Sequence, residues 1–80
     1  MASVEIRVPA QGDTGDPSYL AEWLAEVGQQ VSEGEPLYVL ETNKAEFQVE
    51  SPASGTLVER RAQADEEVAI GAVIGIIDTG

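Results

Sequence analysis

Eighty residues make one small domain, near the size limit at which a single core folds unaided, and leave no room for a catalytic cleft beside that core. The absence of cysteine and histidine excludes disulfides, thiolate chemistry, ordinary zinc sites and the usual nucleophile–base pairs. Fifteen acids against four cations give a net charge of −11, a field that repels phosphate backbones and anionic membrane surfaces and speeds encounter with a basic protein partner.

In chain order, short alternating apolar runs separated by turn residues predict strands at Val4–Val8, Tyr19–Leu24, Gln30–Ser32, Leu37–Glu41, Ala45–Glu50, Gly55–Arg60, Glu67–Ala69 and Val73–Asp78. Gly12, Gly15, Pro17, Gly28, Gly34, Pro36, Pro52, Gly55 and Gly71 punctuate them. Leu20, Trp23, Leu24 and Val27 have the i, i+3, i+4, i+7 spacing of an amphipathic helix, and Ala21, Glu22, Ala25 and Glu26 are good helix formers. A strand is expected there nonetheless, because the chain repeats itself. Val27 to Glu41 matches Ala64 to Asp78 at an offset of 37, pairing Val31 with Val68, Gly34 with Gly71, Leu37 with Ile74 and Leu40 with Ile77. Val8-Pro9-Ala10 matches Ser51-Pro52-Ala53 at an offset of 43, so the first half carries about 6 extra residues, most simply in the Gly12–Ser18 loop. The second copy of Ser18-Tyr19-Leu20-Ala21 is Gly55-Thr56-Leu57-Val58, whose β-branched residues favour a strand. The expectation is an all-β fold: a flattened barrel-sandwich of two pseudo-symmetric four-stranded sheets, with residues 1–80 forming one domain.

Lys44 is the only lysine, and it sits between two strand-like runs in Glu41-Thr42-Asn43-Lys44-Ala45. A unique primary amine at a hairpin tip is a place to attach a group; the plainer reading is a solvated turn lysine in a chain that prefers arginine. Asn43 and Lys44 would be the central pair of a tight turn of type I′, which needs positive φ and suits Asn. The pseudo-symmetry sets this hairpin opposite the two termini. Among the remaining residues, Trp23 is expected in packing and Arg60-Arg61 in surface ion pairs of little energetic weight. Gly28 and Gly55 suggest backbone requirements, positive φ or close approach.

With these residues in place, the chain closely resembles the lipoyl domains of 2-oxo acid dehydrogenase complexes along essentially its whole length. The family's Glu-Thr-Asp-Lys-Ala/Val is Glu41-Thr42-Asn43-Lys44-Ala45, and its Ser/Ala-Pro-x-x-Gly is Ser51-Pro52-Ala53-Ser54-Gly55. Val27-Gly28-Gln29-Gln30-Val31, Glu35-Pro36-Leu37, Pro9 to Thr14 and Trp23-Leu24 echo further family motifs. The resemblance implies lipoate joined to Lys44 as an amide by a lipoyl ligase or octanoyl transferase. It also implies that Gly28, Glu41 and Gly55 stand at ligase-recognition positions, with Thr42, Asn43 and Ala45 beside them. The implied function is a carrier without catalytic or metal-binding residues. Its partners would be a thiamine-dependent 2-oxo acid decarboxylase, an acyltransferase core and dihydrolipoyl dehydrogenase. Two departures stand out. Asn43 replaces the family's Asp, and Asp16-Pro17-Ser18 replaces Thr-Glu-Gly in a loop that in the family lies beside the lysine hairpin.

Three other readings compete. A biotinyl carrier shares the fold, but biotinylation favours methionines on both sides of the lysine, where Asn43 and Ala45 stand. A glycine-cleavage-type carrier shares the Ser/Ala-Pro-x-x-Gly motif but is longer. An unmodified barrel-sandwich adaptor leaves the ligase-pattern residues unexplained. The opening Met-Ala-Ser-Val-Glu has no signal-peptide pattern, and no run has transmembrane length. These absences point to a soluble protein or an excised soluble domain, and the resemblance implies a bacterial cytoplasm or a mitochondrial matrix as its setting, with the domain monomeric. Asp78-Thr79-Gly80 reads like the start of a linker from a larger acyltransferase subunit.

Overall fold

The computed structural model describes residues 2–9, 17–43 and 45–80. They form β1 (Ser3–Arg7), β2 (Ser18–Trp23), β3 (Gln30–Val31), β4 (Pro36–Glu41), β5 (Glu46–Glu50), β6 (Gly55–Arg60), β7 (Glu66–Val68) and β8 (Val73–Asp78). All eight coincide with expected strands to within about two residues at each end, the usual margin for element ends. They build two antiparallel four-stranded sheets, ordered β1-β8-β6-β3 and β5-β4-β2-β7. Each strand order maps onto the other when β1 is set on β5, β8 on β4, β6 on β2 and β3 on β7. This is the correspondence that the two sequence offsets require.

The repeat extends to the turns. Gly28 N–H donates to Leu57 C=O at 2.7 Å, and Asp65 N–H donates to Leu20 C=O at 2.6 Å. Gly34 N–H donates to Ser51 C=O, and Gly71 N–H to Val8 C=O. Thr42 N–H donates to Ala45 C=O at 2.9 Å, and its counterpart is Thr79 N–H to Ala2 C=O, also at 2.9 Å. The pairing of the chain's two ends thus takes the place, in one half, that the hairpin around Lys44 takes in the other.

The helical spacing in β2 has a strand explanation. Leu20 pairs with Leu40, and Glu22 pairs with Val39, so the register slips by one residue at Ala21. Such a bulge resets the two-residue alternation and lets residues three apart face the same side. Leu20 is therefore fully buried and Trp23 packs against the core, while Leu24 and Val27 lie on the surface. β6 carries the same slip between Leu57 and Glu59. The core is correspondingly duplicated: Leu20, Leu37 and Leu40 from one half meet Leu57, Ile74 and Ile77 from the other. Each such side chain contributes about 1.5–3 kcal/mol on burial.

Candidate functional site

β4 and β5 pair through Glu41 and Glu46, the last register pair before the turn. Thr42 closes the turn twice. Its N–H donates to Ala45 C=O, and its hydroxyl lies 3.3 Å from both Ala45 C=O, to which it donates, and Ala45 N–H, from which it accepts. Only Asn43 and Lys44 lie between them in the chain. Asn43 and Ala45 are exposed. Lys44, the expected attachment residue, lies outside the described residues, as does the early loop over 10–16.

The type I′ turn expected at Asn43 and Lys44 lies in part outside the described residues, and its first central residue lacks the positive φ it requires. Among the described residues Asp65 is the only non-glycine with positive φ, so Asn43 keeps the ordinary negative φ of an L-residue. The Thr42 hydroxyl receives the Ala45 N–H, so this closure does not call for a left-handed residue at position 43.

A transverse row of paired residues crosses the sheet beside the turn: Glu46 with Glu41, Glu41 with Tyr19, and Tyr19 with Glu67. Paired residues point to the same face, so three exposed carboxylates flank one half-buried tyrosine. Tyr19, Glu41, Thr42, Asn43 and Asp65 line an open recess at the base of the turn. Sequence reasoning singled out neither Tyr19 nor Asp65 as site residues. The offset-37 repeat sets Asp65 on Gly28 and held a signal for the second, but contact across the sheet is invisible before folding. The strands of this sheet contain Glu22, Glu41, Glu46, Glu50, Glu66 and Glu67, and neither lysine nor arginine. The arginines belong to the other sheet and its margin. Arg7 pairs with Glu5 at 2.5 Å, and Arg61 pairs with Glu59. Arg60 does not form the expected ion pair among the described residues: its guanidinium lies over the Trp23 ring, 5.9 Å from the centroid. Among the described residues no group of three or more acids is arranged to hold a metal ion.

Gly28 and Gly55 are not at the turn. Both lie in or beside the β1-β8-β6-β3 sheet, and each has a backbone reason to be glycine. Gly28 adopts φ +95°. A Cβ on Gly55 would lie 2.2 Å from Asp78 C=O, so only glycine lets β6 approach β8 this closely. The fold thus brings Glu41, Thr42, Asn43 and Ala45 together and leaves these two glycines with the paired chain ends.

Comparison with known proteins agrees with this architecture. The chain is 35% identical over 78 residues to the dihydrolipoyllysine-residue succinyltransferase component of the 2-oxoglutarate dehydrogenase complex of Bartonella vinsonii subsp. berkhoffii. It is 36% identical over 76 residues to the dihydrolipoyllysine-residue acetyltransferase component of the pyruvate dehydrogenase complex of Corynebacterium glutamicum. These alignments cover 98% and 95% of the chain but only 19% and 11% of those proteins. In structure it superposes on the lipoyl domain of the 2-oxoglutarate dehydrogenase complex of Azotobacter vinelandii with a TM-score of 0.78. That match has 23% identity and covers 96% of this chain and 98% of that one, a likeness of fold. Residues 4–77 match the biotin/lipoyl family, described as biotin-requiring enzyme. The chain belongs to the biotin/lipoyl family of domains.

Proposed function

We propose that this domain is a lipoyl carrier of a 2-oxo acid dehydrogenase complex, with lipoate joined to the Lys44 amine. One observation supports the reading above all: Thr42 and Ala45 close a two-residue hairpin turn whose chain segment holds the only lysine. The donor chemistry fits the group. A primary amine forms an amide with a carboxylic acid, and the exposed Asn43 and Ala45 leave the turn accessible to a modifying enzyme. Relatives named as dihydrolipoyllysine-residue acyltransferases favour lipoate over biotin, as do Asn43 and Ala45 where biotinylation favours methionine.

Lys44 would hold lipoate, which when bound would supply a disulfide able to take up an acyl group, together with two electrons, and give it up again to a thiol acceptor. The chain's residues anchor and present the arm. Thr42 ties the turn, Glu41 ends β4 as an exposed carboxylate for the ligase to read, and the paired sheets keep the turn fixed while the arm moves. Tethering then raises the arm's effective concentration at successive active sites.

Lipoyl ligase with ATP and lipoate should add a single lipoyl mass to the wild-type chain and none to Lys44→Arg, which remains folded. A lipoyl increment retained in Lys44→Arg, or a biotinyl increment from biotin ligase in its place, would overturn the reading.

A further inference from the structure

The turn before β3 and the turn before β7 are the same turn built twice. Gln29 N–H donates to Glu26 C=O in the first, and Glu66 N–H donates to Gln63 C=O in the second. The Gln29 side chain returns to Glu26 N–H at 3.1 Å, and the Glu66 side chain to Gln63 N–H at 2.9 Å. Gly28 and Asp65 occupy the equivalent left-handed position, at φ +95° and +69°. Glycine adopts that conformation freely, whereas a residue with a Cβ is disfavoured there, aspartate less than most. The backbone asks for glycine twice, and the chain supplies a carboxylate once.

The two turns differ in their surroundings. Gly28 bonds to β6 on the sheet joined to the paired chain ends, while Asp65 lines the recess with Tyr19, Glu41, Thr42 and Asn43. Asn43 and Thr42 directly precede Lys44, so Asp65 brings a carboxylate beside a segment whose own residue 43 is a neutral amide. Among the described residues the Asp65 carboxylate makes no hydrogen bond or ion pair. Amide formation at Lys44 removes the only positive charge of the hairpin segment, and the strands of this sheet offer no other cation. Glu41 and Asp65 therefore line one recess whose negative charge would have no cation of this sheet's strands to offset it once the Lys44 amine is an amide.

Resting on the carrier reading above, we propose that Asp65 is a specificity-determining residue for the acyl-donating decarboxylase, its carboxylate pairing with a basic side chain at the mouth of that enzyme's active site. The role separates from folding, because glycine suits the backbone at this position better than aspartate. Its effect on modification is read separately, from the ligation rate of each variant.

The test uses the 80-residue chain as wild type, Asp65→Asn, Asp65→Gly and Asp65→Glu, each lipoylated by ligase and then offered to the thiamine-dependent decarboxylases of a 2-oxoglutarate and of a pyruvate dehydrogenase complex. With the enzyme that acylates wild type better, Asn and Gly should raise the KM for the domain about three- to five-fold, the range of an exposed ion pair, with kcat within about two-fold. Their KM should also depend less on salt, and Asp65→Glu should recover at least half of the lost kcat/KM. Ligation rates should match wild type throughout, and the thermal midpoint should be unchanged for Asn and equal or higher for Gly. A KM within two-fold of wild type for both Asn and Gly would overturn the assignment, as would failure of both decarboxylases to acylate lipoylated wild type. Failure of the ligase to modify wild type would instead overturn the carrier reading itself.

Discussion

Tyr38 is the least expected residue of the core. It is fully buried, and its hydroxyl has no hydrogen-bond partner among the described residues. Burial disfavours the phenolate and pushes its pKa from 10.0 up to about 12. The folded state therefore favours the neutral form, so this contribution is fully present below pH 10 and is lost as pH rises through about 12. Tyr38→Phe keeps the ring against Trp23, whose centroid lies 5.5 Å away, and removes the orphaned hydroxyl. It should raise stability by about 1 kcal/mol at pH 7 and flatten the alkaline loss, as read from denaturant midpoints at pH 7 and pH 11. The repeat explains why one half has room for a tyrosine. Its counterpart is Gly75, where a Cβ would meet Glu59 C=O at 2.9 Å and the Trp23 ring at 3.2 Å. Gly55 makes the opposite case: with Asp78 C=O so close, Gly55→Ala should cost about 2–3 kcal/mol and slow ligation only as far as it unfolds the chain. Thermal melts alongside ligation rates below the midpoint check this.

At the level of elements, the hairpin closes through one side chain and the bulges set which residues meet between the halves. Thr42 is worth more than a generic turn residue because its hydroxyl bonds both the N–H and the C=O of Ala45. Thr42→Val retains the β-branched shape and loses these bonds. It should cost about 0.5–1 kcal/mol and slow ligation several-fold through a looser turn, measured by chemical denaturation and by intact mass over time. The bulges in β2 and β6 set Trp23 and Arg60, equivalent by the offset of 37, against each other. Trp23 Nε1–H donates to Ala62 C=O at 2.9 Å, and Arg60 donates to Ala25 C=O at 3.5 Å, each reaching into the other half.

Across the whole molecule, folding separates charges that the sequence intermingles. The sheet carrying the hairpin is acidic without a cation on its strands, while Arg7 and Arg61 are matched by local acids at the other sheet and its margin. Partner encounter should therefore be steered toward the hairpin face. On the proposed carrier function, association of the domain, once lipoylated by ligase, with a thiamine-dependent decarboxylase should slow as salt rises from about 0.05 to 0.2 M, because screening shortens the range of attraction. Stopped-flow association rates decide it, and a salt-independent rate would confine the acids to a role in solubility.

The sequence by itself determined the strands and the duplication and singled out one lysine as the candidate attachment residue, because each is a local or periodic signal. Alternating apolar residues must face one side of a pleat, paired offsets mark equivalent strands, and a lone lysine between two strand runs needs no tertiary contact to be noticed. The conflict at β2 was also soluble in sequence, since Gly55-Thr56-Leu57-Val58 repeats the segment with β-branched residues. Tertiary structure alone decided that the Thr42 hydroxyl closes the turn without a left-handed Asn43, that Gly55 is held by the carbonyl of Asp78, and that Tyr38 is buried with an orphaned hydroxyl. It alone brought Asp65 to the recess beside Asn43. The Thr42 closure is local but rests on side-chain hydrogen bonds that spacing does not show; the others depend on atoms distant in the chain meeting once it folds, and spacing along one strand carries no information about which atoms those are.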